Sequence, residues 1–255
     1  MRKLISILIV GYCLGFFCKN GMAQGGSLVV GGNVIKTNIT SAAIAHYQLQ
    51  YERVTGPNQS FAIGFGISPN VKLPFAGVAE NAAGDDEQAV EAVKSIRFTK
   101  FTVTPEYRFY ISKKGAPKGF YLATFARYTH MSMENIFPYT SEAGVDHKIH
   151  VEGKFNGYGA GAMIGIQWLL GKNFTLDWWI VGPFIGGMSS EFTGVDHSTE
   201  PLSPTDQVNL KEDIEAVEIP LWTIDATVNS STVNIDLSGP FYGARFMGLC
   251  FGVRF

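Results

Sequence analysis

Charged residues, cysteines and long apolar runs are all scarce in this chain of 255 residues. Only 16% of the residues are charged, whereas an ordinary soluble domain has roughly 25%. The formal net charge of -2 gives no basis for a nucleic-acid partner. Two of the three cysteines, Cys13 and Cys18, lie close to the N-terminus, and only Cys250 lies in the body of the chain. No disulfide framework is therefore expected.

The most apolar stretch is a short one at the N-terminus. A basic pair precedes apolar residues 4–17, and small residues follow as far as Ala23. This order is typical of a secretory signal peptide, and the run is shorter than the roughly 20 residues that a membrane-spanning helix needs. Lipidation at Cys18 is a weaker alternative, because bulky phenylalanines precede that cysteine. We predict a signal peptide over 1–23 and one mature domain over 24–255.

Aromatic residues and glycines are abundant, and they alternate. The chain is 13% aromatic and has 29 glycines. Over residues 155–171, glycines recur at two-residue steps, and Tyr158, Ile164 and Trp168 stand between them. A period of two gives a strand one apolar face and one face of small residues. Similar segments of about ten residues recur along the chain, and this pattern is typical of a transmembrane β-barrel.

We predict an all-β fold, an eight-stranded antiparallel transmembrane β-barrel with short periplasmic turns and long, partly helical extracellular loops. Short turns rich in Gly, Pro, Asn and Lys join three strand pairs, whereas the connections at about 71–96 and 193–239 are long and acidic. An even number of strands places both termini on the periplasmic rim. The predicted strands cover about 27–36, 44–54, 60–70, 97–112, 119–137, 148–170, 174–192 and 240–255.

The long loops carry patterns of their own. Acids at 85–87 predict the start of a short helix. Ser203 as an N-cap with Pro204 after it predicts a second helix that runs to about Val217. Apolar residues scattered over 221–237 predict a small β-hairpin or lid above the barrel.

The C-terminal strand has its own pattern. Apolar residues step back by twos from Phe255 to Met247, and Arg245 comes next. At the rise and tilt of barrel strands, ten residues span roughly 25 Å, the height of a lipid-facing band. Arg245 is therefore expected on the outer face, where the lipid tails end.

Short motifs recur at predicted strand positions: Tyr51-Glu52-Arg53, Pro105-Glu106-Tyr107-Arg108-Phe109-Tyr110, Gly119-Phe120-Tyr121-Leu122, Leu176-Asp177-Trp178-Trp179 with Gly182-Pro183, and Gly252-Val253-Arg254-Phe255. They resemble a domain-of-unknown-function family of small outer-membrane β-barrel proteins from Bacteroidetes, related in shape to OmpA-type proteins. The resemblance implies a Gram-negative outer-membrane location, with membrane lipid and lipopolysaccharide around the barrel, and it carries no activity. The terminal aromatic Phe255 resembles the signal that the barrel-assembly machinery recognises.

Charged residues on the inward faces of the predicted strands form the candidate site. Three acids and three bases balance there, and buried charges need partners because an unpaired one costs several kcal/mol. We predict a structural charge network that plugs the lumen, with a proton or ion path as the alternative. The network residues are Glu52, Glu106, Arg108, Arg127, Asp177 and Arg254.

Two other patterns allow chemistry but do not specify it. The tetrapeptide Gly-Val-Asp-His occurs at 144–147 and again at 194–197, in two predicted loops. Asp and His ligate zinc, but nothing brings three or four ligands together. His130, Ser132 and Glu134 share one face of a predicted strand, but they lack the geometry of a catalytic triad.

We therefore predict no catalytic residue, no metal and no cofactor. The expected function is that of an integral outer-membrane protein of structural or surface-interaction type. A loop-mediated adhesin or ligand-binding module is one alternative, and the partner of its loops is unknown. A hydrolase that modifies lipids of the outer leaflet is the other.

Overall fold

A computed structural model describes residues 32–72, 90, 94, 96–112, 115–140, 144, 146–198, 201–217 and 220–255. The predicted signal peptide at 1–23 lies outside the described residues. The helix expected after the acids at 85–87 lies almost entirely outside them as well. These two predictions therefore stay predictions.

Nine strands and two helices are formed by the described residues. The helices are α1 (Ile39–Ala42) and α2 (Pro204–Glu215). The strands are β1 (Asn33–Asn38), β2 (Tyr47–Gly56), β3 (Gln59–Lys72), β4 (Arg97–Tyr110), β5 (Gly119–Thr140), β6 (Asp146–Leu170), β7 (Phe174–Asp196), β8 (Thr223–Val228) and β9 (Thr232–Arg254).

Antiparallel pairing closes the strands into a ring. Each of β1 to β7 pairs with the next, β7 pairs with β9, and β9 returns to pair with β1. Val34 of β1 thus lies between Glu52 of β2 and Arg254 of β9. β8 pairs with the part of β9 beyond β1, so eight strands form the ring and the ninth lies outside it. The predictions of an all-β class and of antiparallel strands are confirmed.

The connection predicted at 193–239 is shorter at both ends in the structure. β7 continues to Asp196, and β9 begins at Thr232 rather than at 240. The hairpin of β8 and β9 confirms the predicted hairpin in this region. The helix is also confirmed, because α2 begins at Pro204 and Ser203 caps it by accepting a hydrogen bond from the Asp206 amide.

The outward placement predicted for Arg245 is wrong. Phe246 and Met247 are both exposed, at 65% each, and Met247 has a positive φ of 52°. Two consecutive outward residues reverse the alternation of β9 at this point. Cys250 and Arg245 therefore both face inward, although one has an even number and the other an odd number. The same reversal puts Phe246 on the outer face.

The four long strands β5, β6, β7 and β9 contain 22, 25, 23 and 23 residues. Because β1 to β4 have only 6 to 14 residues, the long strands continue past the ring on one side. α2 packs against β8 in this part. We call the two together the extension (130–140, 146–156, 187–196, 202–217 and 223–240). The rest of the sheet is the ring.

Candidate functional site: the inner face of the ring and the extension

A cluster of buried charges fills the ring near its short turns, and Arg108 lies at its centre. The Arg108 guanidinium lies 2.7 Å from the Asp177 carboxylate and 2.7 Å from that of Glu106. It also lies 3.5 Å from the Glu52 carboxylate and donates to Gln50 Oε1 at 3.0 Å. The side chains of all four charged residues are fully buried. A guanidinium can satisfy several acceptors at once because its five N–H donors have fixed directions.

Two further bases complete this cluster. Lys36 Nζ forms ion pairs with Glu52 and, at 2.8 Å, with Asp177. Arg245 lies 2.6 Å from the second oxygen of Glu106, and its guanidinium lies 4.1 Å from the centre of the Trp179 ring. The ion cluster is thus Lys36, Glu52, Glu106, Arg108, Asp177 and Arg245. Its three positive and three negative charges balance.

Hydrogen bonds from neutral side chains hold the carboxylates in place. The Tyr110 hydroxyl donates to Glu52 Oε1 at 2.6 Å, and the Ser60 hydroxyl donates to the same oxygen at 2.6 Å. The Tyr121 hydroxyl donates to Asp177 Oδ1 at 2.8 Å. Because buried carboxylates need several donors, these bonds allow the cluster to remain ionised without water.

The structure brings four of the six predicted network residues together: Glu52, Glu106, Arg108 and Asp177. Arg127 lies higher, with its guanidinium 5.9 Å from the centre of the Phe184 ring. Arg254 is half-buried at the short-turn rim, where its amide donates to the Asn173 carbonyl.

Sequence reasoning missed Lys36 and Arg245. Lys36 alternates with outward Ile35 and Thr37, and this signal is readable, although β1 is only six residues long. Arg245 carries no such signal, because the reversal at Met247 hides its direction.

Basic residues that form no ion pair with the described acids lie above the ion cluster. Lys100 and Arg127 are close enough to repel each other electrostatically, and both act on His46. Neither forms an ion pair or a side-chain hydrogen bond among the described residues, although Glu106 acts on Arg127 electrostatically. His46 donates to or accepts from Ser68 through Nδ1, and its buried Nε2 has no partner among those residues. We call Lys100, Arg127 and His46 the basic shelf.

An aromatic layer crosses the inner face at about this height. Phe125 and Phe184 have ring centres 6.2 Å apart, and Phe184 lies 5.2 Å from Phe241. Phe155 continues the layer at 5.4 Å from Phe241. Tilted and edge-on contacts of this kind are the favoured aromatic geometries. The layer therefore separates the ion cluster from the inner face of the extension.

Two adjoining cavities of about 230 and 460 Å³ lie on the inner face of the extension. Met133, Phe192 and Leu237 line both cavities, so we treat them as one apolar trough. Phe155 and Met188 lie at the end that contacts the aromatic layer, and Leu210 and Ile214 of α2 line the other part. The other lining residues are Met131, Asn135, Ile149, Val151, Gly153, Ser190, Asp213, Val217, Trp222, Ile224, Val233 and Ile235.

The two Gly-Val-Asp-His segments meet at the far end of the extension. Their Asp and His residues were predicted in loops, but both segments reach into β6 and β7. His147 Nδ1 lies 2.6 Å from Asp196 Oδ2, and the rings of His150 and His197 are 5.1 Å apart. The described residues include no group of three or more His, Cys, Asp or Glu that could hold a metal ion.

Asp196 has a lowered pKa. Burial is the largest single influence and by itself raises the pKa of this carboxyl group. Hydrogen bonds from the Ser198 hydroxyl and amide, and then from His147, together outweigh burial. The pKa therefore lies below the ordinary value of 3.8.

The residues suggested for a hydrolase lie on the outer face of β5. His130 Nδ1 lies 2.9 Å from Asn156 Oδ1 on β6. Ser132 is exposed opposite Lys154, and Glu134 is exposed opposite Glu152. The hydrolase therefore stays an untested alternative.

The ring, the ion cluster and the trough define an all-β protein whose interior is filled with side chains and whose long strands extend beyond the ring. Residues 16–203 match the model of a family described as protein of unknown function (DUF3575), and the chain belongs to this family. No curated protein matches the chain, and no solved structure matches it. In the part of the chain that the structure describes, no helix is long and apolar enough to cross a membrane.

Proposed function

We propose that the chain is an integral outer-membrane β-barrel protein of structural or surface-interaction type. The observation that carries this proposal is the apolar outer face of the ring. Leu49, Ile164, Trp178 and Val253 are among many large apolar side chains that are exposed there. A water-soluble protein rarely exposes so wide an apolar surface, whereas a lipid-facing barrel requires it.

The height of the apolar outer face supports the same proposal. On β5 it runs from Phe120 to Tyr128, and on β9 from Val253 back to Tyr242. At the usual rise and tilt of barrel strands, nine to twelve residues span roughly 25–30 Å, close to the height of a lipid-facing band. Beyond this band the outer faces become polar, as at Lys154 and Glu191. The extension would therefore lie in water.

The filled interior favours a structural or binding role over that of an open channel. An eight-stranded ring has an interior just wide enough for side chains or for one small ligand, and not for an open channel. The ion cluster occupies the part near the short turns, and the aromatic layer crosses the part above it. The alternative of an ion path would need this cluster to open.

The proposed orientation follows from the lengths of the connections. The turns near 57–58, 111–118 and 171–173 lie at the same end as Asn33 and Phe255, which pair with each other. In outer-membrane barrels short turns are periplasmic, so we infer periplasmic termini and an extracellular extension. Lipid and lipopolysaccharide would surround the ring, and the assembly machinery would recognise Phe255 after removal of the signal peptide at 1–23. Likeness to small Bacteroidetes and OmpA-type barrels is part of this proposal.

Cell fractionation of the full chain tests the proposal. The protein is expected in the outer-membrane fraction, with faster gel mobility when unheated than after boiling, because folded barrels resist detergent. A variant without residues 1–23 is the control and is expected to stay in the cytoplasm. Full-length protein found in the cytosol or as a soluble periplasmic protein would contradict the proposal.

A loop-mediated binding module is the second candidate, and the folded state of the extension favours it. Ile149, Leu202, Leu210 and Val233 form a small core of their own there. A surface that is held in shape by a core is suited to recognition. Replacing residues 202–217 by a short Gly-Ser linker should abolish surface binding and preserve heat-modifiable mobility. Unchanged adhesion of cells that carry this variant would contradict the second candidate.

A further inference from the structure

The inner face carries positive charge that its own acids do not neutralise. The ion cluster is balanced, so Lys100 and Arg127 of the basic shelf are two additional positive charges. Neither forms an ion pair or a hydrogen bond with a carboxylate among the described residues, although Glu106 acts on Arg127 electrostatically. Removing a charge from water without a partner costs several kcal/mol. An anion held between these side chains would remove that cost.

Further polar atoms at the same level lack partners. His46 Nε2 and Thr129 Oγ1 are buried and have no hydrogen-bond partner within the described part of the chain. Both side chains are more than nine-tenths buried. Thr129 lies opposite Thr102 on the neighbouring strand, two residues from Lys100. The basic shelf therefore combines positive charge with unused hydrogen-bonding groups, as anion sites do.

The basic shelf adjoins the apolar trough. Lys100 of β4 is the direct cross-strand partner of Met131, which lines the trough. Side chains of such partners lie about 5 Å apart at Cβ. Arg127 lies over Phe184, and Phe241 connects Phe184 to the trough residue Phe155. Charge and apolar surface thus meet along one continuous inner face.

The trough has the dimensions and lining of a ligand site. Its larger part has about 460 Å³, and sites for small ligands have roughly 300–1,000 Å³. Its lining is apolar except for a few side chains such as Asn135 and Asp213. Met131, Met133 and Met188 are adaptable side chains that can pack against a flexible chain. Phe155 of the aromatic layer lines the lower end of the trough.

We propose that this inner face binds one single-chain anionic amphiphile, of which a fatty acid is the simplest. Its anionic head group would be held by Lys100 and Arg127, with His46 and Thr129 as further hydrogen-bonding partners. Its alkyl chain would lie along the trough beneath α2. This inference depends on the described inner face and not on membrane insertion, so it can fail or hold independently of the proposed location.

Equilibrium binding of radiolabelled laurate tests the site. The folded full chain is exchanged into an amphipathic polymer, so that no alkyl detergent competes for the trough. We expect one laurate per chain, and dodecanol, which has the same chain without the charge, should bind roughly tenfold or more weakly. The variant K100Q/R127Q should lose a similar factor for laurate and little for dodecanol. Its matched control is R53Q/K154Q, which removes an Arg and a Lys that are exposed on the outer face.

A second pair of variants tests the trough. Leu237 lines both cavities, whereas Leu221 is 82% exposed and lies outside the lining. L237N should weaken laurate and dodecanol alike, and L221N should weaken neither. Thermal unfolding without ligand is a further test of the site, because K100Q/R127Q removes two positive charges that form no ion pair and repel each other. This variant should therefore unfold at a higher temperature than the wild type when no laurate is present.

Four results would overturn the proposal. They are the absence of laurate binding, equal affinity for laurate and dodecanol, equal laurate affinity in K100Q/R127Q and wild type, and a lower unfolding temperature for K100Q/R127Q. Laurate binding with the expected charge dependence would support it even if fractionation contradicted a membrane location.

Discussion

Four long strands run through both the ring and the extension, but the polarity of their two faces is opposite in the two parts. On β6 within the ring, Ile164 and Trp168 face outward, and Gln167 faces the buried interior. On the same strand within the extension, Ile149 faces inward and Lys148 outward. Inward and outward positions alternate without interruption along β6. The same strand geometry therefore carries apolar residues on its outer face in the ring and on its inner face in the extension.

The exchange of polarity suggests where the environment of the strands changes. Tyr128 of β5 and Tyr158 of β6 are cross-strand partners at this level, and both are exposed. Ile185 of β7 and Tyr242 of β9 are partners at nearly the same level. Aromatic side chains are enriched where lipid meets water. We expect this level to be the outer edge of the lipid-facing band.

The largest effect is expected inside the ring, where one substitution breaks the ion cluster. Glu106→Ala removes the acid that pairs with both Arg108 and Arg245 and leaves two guanidinium groups without it. Breaking a buried pair in this way costs about 3–5 kcal/mol of the free energy of unfolding. The measurement is the urea concentration at which heat-modifiable mobility is lost.

The matched control for this substitution lies on the extension. Glu212→Ala removes an exposed acid of α2, where a surface charge is worth about 1 kcal/mol or less. Equal shifts of the unfolding midpoint for Glu106→Ala and Glu212→Ala would contradict a stabilising role for the ion cluster.

The second-largest effect is expected from a substitution that compares the outer face of the ring with the outer face of the extension. Ile164→Arg places a charge in the middle of the proposed lipid-facing band and should cost about 2–4 kcal/mol. Thr193→Arg places the same side chain on the exposed outer face of the extension and should cost less than about 0.5 kcal/mol. Both values come from reversible unfolding in lipid vesicles. Near-zero cost for Ile164→Arg would mean that water, not lipid, surrounds the ring.

Much of the ring follows from the sequence, because its outer and inner residues differ clearly. Leu49 and Gln50, or Phe101 and Thr102, differ enough for a period of two to give the strand and its direction. The three acids of the ion cluster could be found in this way. An even number of such strands places both ends of the chain on one rim, but closure through the pairing of Val34 with Arg254 needs the structure.

The extension was harder to predict, because its apolar residues face inward and its polar residues outward. Val233, Ile235 and Leu237 alternate with Asn234 and Asp236 as strictly as any strand of the ring. When strands are identified by an apolar outer face, such a stretch resembles a loop, because half of its residues are strongly polar. The direction of Arg245 was predicted wrongly for a different reason. The positive φ at Met247 depends on packing rather than on the alternation of apolar and polar residues.

A smaller effect should separate the core of the extension from the ring. Ile149 is buried against Leu202, Leu210 and Val233, so Ile149→Val should cost about 0.5–1.5 kcal/mol. The change should increase hydrogen exchange in α2 and leave the ring amides protected. Ile185→Val, at a side chain that is 69% exposed on the outer face of the ring, is the control and should change neither region. Equal increases in both regions would mean that ring and extension unfold as one unit.

The smallest effect is a dependence on pH at the far end of the extension. The pKa of Asp196 lies below 3.8 in the folded state, because hydrogen bonds from Ser198 and His147 outweigh the effect of burial. A lowered pKa means that the stabilisation is complete above the ordinary value and is lost as the pH falls through the lowered one. Its size should be no more than about 1 kcal/mol, the net value of such hydrogen bonds. Hydrogen exchange near Ser198, after correction for its intrinsic rate, should therefore increase as the pH falls below 3.8. Asp196→Asn keeps the shape of the side chain without its titration, and the same profile should be flat. An equally steep profile in both proteins would assign the acid sensitivity to another group.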